Sequence, residues 1–207
     1  MGVMKLVLVA FTLFLSACAS AEYPLRHYDE VATRAATLVP EPDAATLGGR
    51  DAALVHRGQY LAQIIGCGSC HTDGALVGTP DAMRLFAGSS IGIAYTNPAV
   101  DLRPGVVFPS NLTPDRLTGI GDLSDAQIAG AIRGAWHISG AAGLMTMPWR
   151  SYAHLTDDDV QAIVAYLRSI PPIGHKVPSR VAPGTRANAP YLYFGVYRSG
   201  PALNVGH

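Results

Sequence analysis

Cys67-Gly68-Ser69-Cys70-His71 sets two thiols three positions apart, with an imidazole directly after the second. Thiols at that spacing can each add across one of the two vinyl groups of a single haem. The adjacent histidine then lies under the iron as its proximal ligand. That chemistry needs all three residues in that order. A redox dithiol would be expected inside a βαβ pattern, whereas the flanks here are helical and Gly-rich. A structural zinc site would want a second Cys or His pair at knuckle spacing, and none follows. Of the three cysteines in the chain, Cys18 stands apart in an N-terminal context. The motif therefore points to one haem c, bound covalently through Cys67 and Cys70, with His71 on its iron.

A six-coordinate electron-transfer haem needs a second axial ligand from elsewhere. The candidates are Met83, Met145, Met147, His137 and His154. A thioether sulfur raises the reduction potential by stabilising ferrous iron. Met147 is favoured because Pro148 fixes φ behind it and a Gly-rich approach (Gly140, Gly143) precedes it, which suits an extended ligand loop. Met83 and Met145 read more simply as core filler, and His137 and His154 as surface or capping residues. A bis-His site stays open as the alternative. Trp136, Trp149 and Tyr152 are candidates to line the pocket and Arg150 to pair with a propionate, each with an equal claim to be ordinary core or surface.

Elements around the motif can be read from periodicity and caps. Residues 51–65 form an expected helix running into the motif, with Leu54, Gly58, Leu61 and Ile65 on one stripe. Ser124 and Gln127 resemble a capping box opening a short helix through Arg133. Thr156 and Asp159 open the clearest helix, in which Val160, Ile163, Val164 and Leu167 line one face, Arg168 sits in the last turn and Pro171-Pro172 stops the chain. Between them, residues 74–122 read as a long Gly- and Pro-rich loop, of the kind that is functional or wrapped around something. The expectation is an all-α domain over 50–173, folded around the haem. Residues 174–207 form a tail whose aromatic run (Tyr191 to Tyr197) suits packing across the domain or a partner contact.

Residues 1–17 read as an export signal. Lys5 is the only charge before Cys18, and Leu6 to Leu15 is apolar but short for a membrane span. Leu15-Ser16-Ala17-Cys18 resembles a bacterial lipobox, which would put a lipid on Cys18; simple secretion is the alternative. Either route ends outside the cytoplasm, on the periplasmic side of a bacterial membrane. Residues 18–49 then read as a tether with an r.m.s. reach of about 30 Å. Without the signal, 14 basic and 15 acidic residues remain, a net charge of −1, and Lys176 is the sole lysine. That balance argues against nucleic acid as a partner and against docking through a lysine-rich face.

Cys67-x-x-Cys70-His71, Asn111-Leu112-Thr113-Pro114-Asp115 with Thr118-Gly119-Ile120-Gly121, Met147-Pro148-Trp149, and Leu155-Thr156-Asp157 through Leu167-Arg168-Ser169-Ile170-Pro171-Pro172 occur in that order. Over 50–173 the chain resembles one haem domain of the class I c-type cytochromes. It is most similar to the domains repeated in the cytochrome subunits of membrane-bound alcohol and gluconate dehydrogenases. The resemblance implies a cytochrome c-like helical fold, His71 and Met147 as axial ligands, and the Asn111–Asp115 segment near the haem. The chain departs from it in having one haem motif, a long segment over 95–109 and an added tail. The expected function is therefore that of a lipid-tethered monohaem electron carrier, not itself an enzyme. It would pass single electrons from a periplasmic dehydrogenase to a respiratory acceptor. A haem enzyme or gas sensor, with an open or displaceable sixth position, is the competing reading.

Overall fold

Aspartate and threonine caps define where the main helices begin. In a computed structural model that describes residues 39–47, 49–97, 101–134 and 146–193, with only the backbone of 95–97 and 101–104, five helices and three strands are seen. The helices are α1 (Ala52–Ile64), α2 (Cys67–His71), α3 (Asp125–Ile132), α4 (Trp149–Tyr152) and α5 (Asp157–Ser169), and the strands β1 (Gly92–Asn97), β2 (Asp101–Val107) and β3 (Tyr191–Tyr193). Cys18, Trp136, His137 and Met145 lie outside the described residues.

Asp51 caps α1 by accepting from the Ala53 amide at 2.8 Å. Ser124 and Gln127 complete a reciprocal capping box on α3. Thr156 Oγ1 accepts from Asp159 N at the start of α5, with three aspartates in the first turn, where the helix dipole favours negative charge. Val160, Ile163, Val164 and Leu167 are all buried as the periodicity predicts. Burying each aliphatic side chain contributes roughly 1.5–3 kcal/mol. On α1 the buried residues are Val55, Gly58, Leu61 and Ala62; Gly58 and Leu61 belong to the expected stripe, and its other members, Leu54 and Ile65, are partly buried against the core.

α1 and α5 cross closely at Gly58. A Cβ on Gly58 would stand 1.9 Å from the Ala162 carbonyl oxygen, so only glycine lets the two backbones meet. Arg57 Nε donates to Asp159 at 3.0 Å beside the crossing. α5 is buried on further faces because the chain ahead of α1 lies against it. Tyr166 Oη donates to Pro40 O at 2.6 Å, Asp43 N to Ser169 O at 2.7 Å, and Val39 and Leu47 join the core. The packed body therefore begins before residue 50, and residues 39–47 are docked rather than free tether.

The helical part agrees with expectation, but an all-α architecture is too simple. β1 and β2 form an antiparallel pair with Ile93 opposite Val107, and β3 adds in parallel on the other side of β1, giving the order β2-β1-β3. Val181 also bridges Val106 with paired bonds of 3.0 and 2.8 Å. The segment after α5 thus braces β2 at Val181 and β1 at Tyr191–Tyr193, and the body continues past residue 173. Gly92, Pro104 and Gly105 break the period-2 alternation that marks a strand, and β3 pairs with a partner about a hundred residues away.

Candidate functional site

Gly66 separates α1 from α2, and α2 is nothing but the five residues Cys67–His71. At i and i+3 the two cysteines share a side of this single turn. Both are unpaired. Cys67 packs against the main helical core, while Cys70, with Leu76, packs against Ile93 and Val107 of the sheet. The motif therefore joins the two packing units. Burial pushes the Cys67 thiol up to about 12, and burial likewise raises Cys70. Both sulfurs are thus neutral near pH 7 and poorly suited to a redox nucleophile, which needs a thiolate. Among the described residues no group of three or more His, Cys, Asp or Glu is placed to hold a metal ion.

His71 is half-buried, and its Nδ1 lies 2.7 Å from the Ser110 carbonyl oxygen. A carbonyl only accepts, so Nδ1 carries the proton and Nε2 keeps its lone pair. Burial lowers the imidazole's pKa, with the Ser110 bond opposing in part, which favours the neutral ring. A neutral histidine with one nitrogen anchored and the other free is the form that ligates iron, and the anchor raises its basicity. Two unpaired neutral thiols beside such an imidazole fit a covalently held haem c.

Phe86 and Thr72 set the approach of the segment that carries Ser110. Phe86, fully buried, has φ 60°, a left-handed conformation that costs a non-glycine residue about 1–2 kcal/mol. It is held there from both ends, since its amide donates to Thr72 Oγ1 at 3.2 Å and its carbonyl accepts from Leu112 N at 2.8 Å. Its ring meets Tyr166 edge-on at 6.1 Å. At Gly88 (φ 86°) a Cβ would come within 2.9 Å of both Pro109 O and Asn111 N, so the Pro109–Asn111 segment can pass directly over it. Gly88 N in turn donates to His71 O at 2.9 Å. Asp73 closes the far side. Burial alone would raise its pKa, but bonds from Ser90 N (2.8 Å), Arg84 Nη1 (2.9 Å) and Ser90 Oγ outweigh this and hold the carboxyl below its usual value.

Met147 is half-buried against the main core, just ahead of α4, and its carbonyl accepts from Trp149 N at 2.8 Å. Tyr152 is buried, donates to Ile65 O at 2.9 Å and is pushed up to about 12 by burial. It stands beside the motif and within the helical core. Arg150 lies over the Trp149 ring at 5.6 Å, and His154 is exposed. Met83 is 82% exposed, contrary to its reading as core filler. Sequence reasoning passed over Ser110, Thr72 and Phe86. The only signal for them was position: Thr72 follows the motif, and Ser110 precedes the Asn111 segment.

The chain is similar in sequence to known proteins over this region. The family model for cytochrome c matches residues 55–171. A cytochrome c subunit of alcohol dehydrogenase (quinone) from Gluconobacter oxydans is 35% identical over 123 residues, covering 59% of this chain and 23% of its own length. The gluconate 2-dehydrogenase cytochrome c subunit of Pantoea cypripedii is 37% identical over 114 residues (55% and 22%). The fructose dehydrogenase cytochrome subunit of Gluconobacter japonicus is 30% identical over 127 residues (61% and 23%). The chain thus spans under a quarter of each of these relatives. Domains of this kind hold haem c covalently and move electrons rather than catalyse substrate turnover. With the matched region running from α1 through the haem motif to α5, the chain belongs to the cytochrome c family.

Proposed function

We propose that this chain is a monohaem electron carrier, with haem c on Cys67 and Cys70, His71 as proximal ligand and Met147 as distal ligand. It passes one electron at a time between a periplasmic dehydrogenase acting on alcohols or sugar acids and a respiratory acceptor. Lipidation of Cys18 holds it at the periplasmic face of the membrane. The bond from His71 Nδ1 to the Ser110 carbonyl supports this reading most directly, because it prepares Nε2 as an iron ligand beside two unpaired thiols. The similarity to cytochrome subunits of alcohol, gluconate and fructose dehydrogenases supports the choice of donor. No helix among the described residues is long and apolar enough to cross a membrane.

The haem supplies one-electron exchange, and the protein supplies its attachment, axial ligands and covering surface. Mixing the full-length, haem-loaded chain in its ferric form with a membrane-bound alcohol or gluconate dehydrogenase and that enzyme's substrate tests the proposal. One electron per chain should be taken up at a rate that depends on the dehydrogenase. Reduction by small-molecule reductants alone, with every such dehydrogenase inert, would remove the proposed donor.

A further inference from the structure

Ser110, whose carbonyl orients His71, is itself exposed, so water competes for that oxygen and something must keep it aimed. Its neighbour Asn111 is 2% exposed and uses all of its hydrogen-bonding capacity. Oδ1 accepts from Thr113 N at 2.9 Å and from Thr113 Oγ1 at 2.7 Å. Nδ2 donates to Thr118 Oγ1 at 3.0 Å and to Ile173 O at 2.7 Å. These partners also fix which end of the amide is oxygen. Thr118 Oγ1 is saturated as well: it donates to Asp115 Oδ1 at 2.7 Å and accepts from His175 N at 3.0 Å. Ile173 N closes the ring on Thr113 Oγ1 at 3.1 Å. Backbone bonds anchor this segment to the haem-motif side, at Pro109 O from Ser89 N (3.0 Å) and at Leu112 N to Phe86 O. Asn111 supplies the opposing anchor, into the segment that follows α5.

We infer that Asn111 is a positioning residue for His71: its buried amide, clamped between Thr113, Thr118 and Ile173, holds the Ser110 carbonyl on the imidazole Nδ1–H and so tunes the electron density on the iron ligand. The inference rests on His71 being the proximal ligand. A strongly accepting carbonyl makes the imidazole a better donor and favours ferric iron, as outer partners of ligating histidines do. Loosening the carbonyl should therefore raise the midpoint potential.

The test compares Asn111→Ala, Asn111→Asp and the milder Thr118→Ala with wild type, all full-length and haem-loaded. Thr46→Ala, which removes a remote bond to Ser169 O, serves as a control for lost stability alone. Midpoint potential and the exchange rate of the His71 Nδ1 proton, followed by NMR, are the readouts. Asn111→Ala should shift the ferric-to-ferrous ratio about threefold toward ferrous at the wild-type midpoint. That is about 28 mV upward, at 59 mV per tenfold for one electron. Asn111→Asp is judged on proton exchange, because its added negative charge by itself favours ferric iron. Proton exchange at His71 should quicken several-fold, with Thr118→Ala moving both readouts less and in the same direction. Thr46→Ala should lower the melting temperature and leave both readouts in place. If the Asn111 and Thr118 variants melt lower with potential and exchange unchanged, the clamp is structural only and the inference fails. If wild type itself lacks a His71 Nδ1 proton characteristic of a ligated ring, the ligation beneath the inference fails instead.

Discussion

Serine at both Cys67 and Cys70 should leave a chain that retains no haem through denaturation, while Cys18→Ser retains one haem per chain. Thioether formation adds each S–H across a vinyl group, and a hydroxyl does not replace the thiol in that step. The effect reaches the fold as well, because Cys67 packs into the helical core and Cys70 against Ile93 and Val107. A haem covalently fixed between those two packing units restrains both, so the doubly substituted chain should also expose its core to protease. Haem staining after denaturing electrophoresis measures the first effect and limited proteolysis the second. Covalent haem persisting in the double variant would mean that attachment lies elsewhere in the chain. Loss in the Cys18 variant would place one attachment there.

Gly58→Val carries the largest expected cost in stability. Even the first added carbon would sit 1.9 Å from the Ala162 carbonyl oxygen, 2.5 Å from its carbon and 2.7 Å from Tyr166 Cβ. Two of the three are backbone atoms, which no rotamer change can move aside. α1 and α5 must separate, loosening Val55, Leu61, Val160, Ile163 and Tyr166 together. Overpacking of well-filled cores costs about 1–3 kcal/mol when side chains can adjust, and this contact belongs at or above the upper end. A loss of about 3 kcal/mol is a large share of the ~5–15 kcal/mol that holds a domain folded. For a body of this size that is about 10 °C in melting temperature. Thermal unfolding of the haem-loaded variant, followed by far-UV circular dichroism, measures it. A change of under about 2 °C would show that the crossing is looser than its geometry requires.

The reasons some parts could be read from residue order and others could not are visible in single residues. Covalent attachment demands two thiols and an imidazole in fixed sequence, so the motif survives without any knowledge of the fold. Capping is equally local, and Asp51, Ser124 and Thr156 mark helix starts because their oxygens reach amides two or three residues on. The burial of α5 on several faces was not legible, since it depends on residues 39–47 returning to Ser169 and Tyr166 from over a hundred positions away. β3 was hidden for the same reason. The partner of His71 was hidden for a different one: it is a backbone carbonyl, and any residue at position 110 would have offered it. Asn111 could be noticed only through a resemblance, while its role depends on Ile173, past the last helix. Met147 is half-buried against the helical core, and the stretch leading to it, with Trp136, His137 and Met145, lies outside the described residues.

Potentiometric titration of the full-length holoprotein beside its Met147→His variant tests the proposed His71/Met147 haem most directly. Wild type should give a single one-electron wave at positive potential. The variant's wave should fall by about 0.1 V or more, within the ~0.8 V that axial ligation spans, because imidazole stabilises ferrous iron less than a thioether does. Coincident waves, or a strongly negative wild-type midpoint, would contradict ligation by Met147 and bring forward a bis-His or open sixth position.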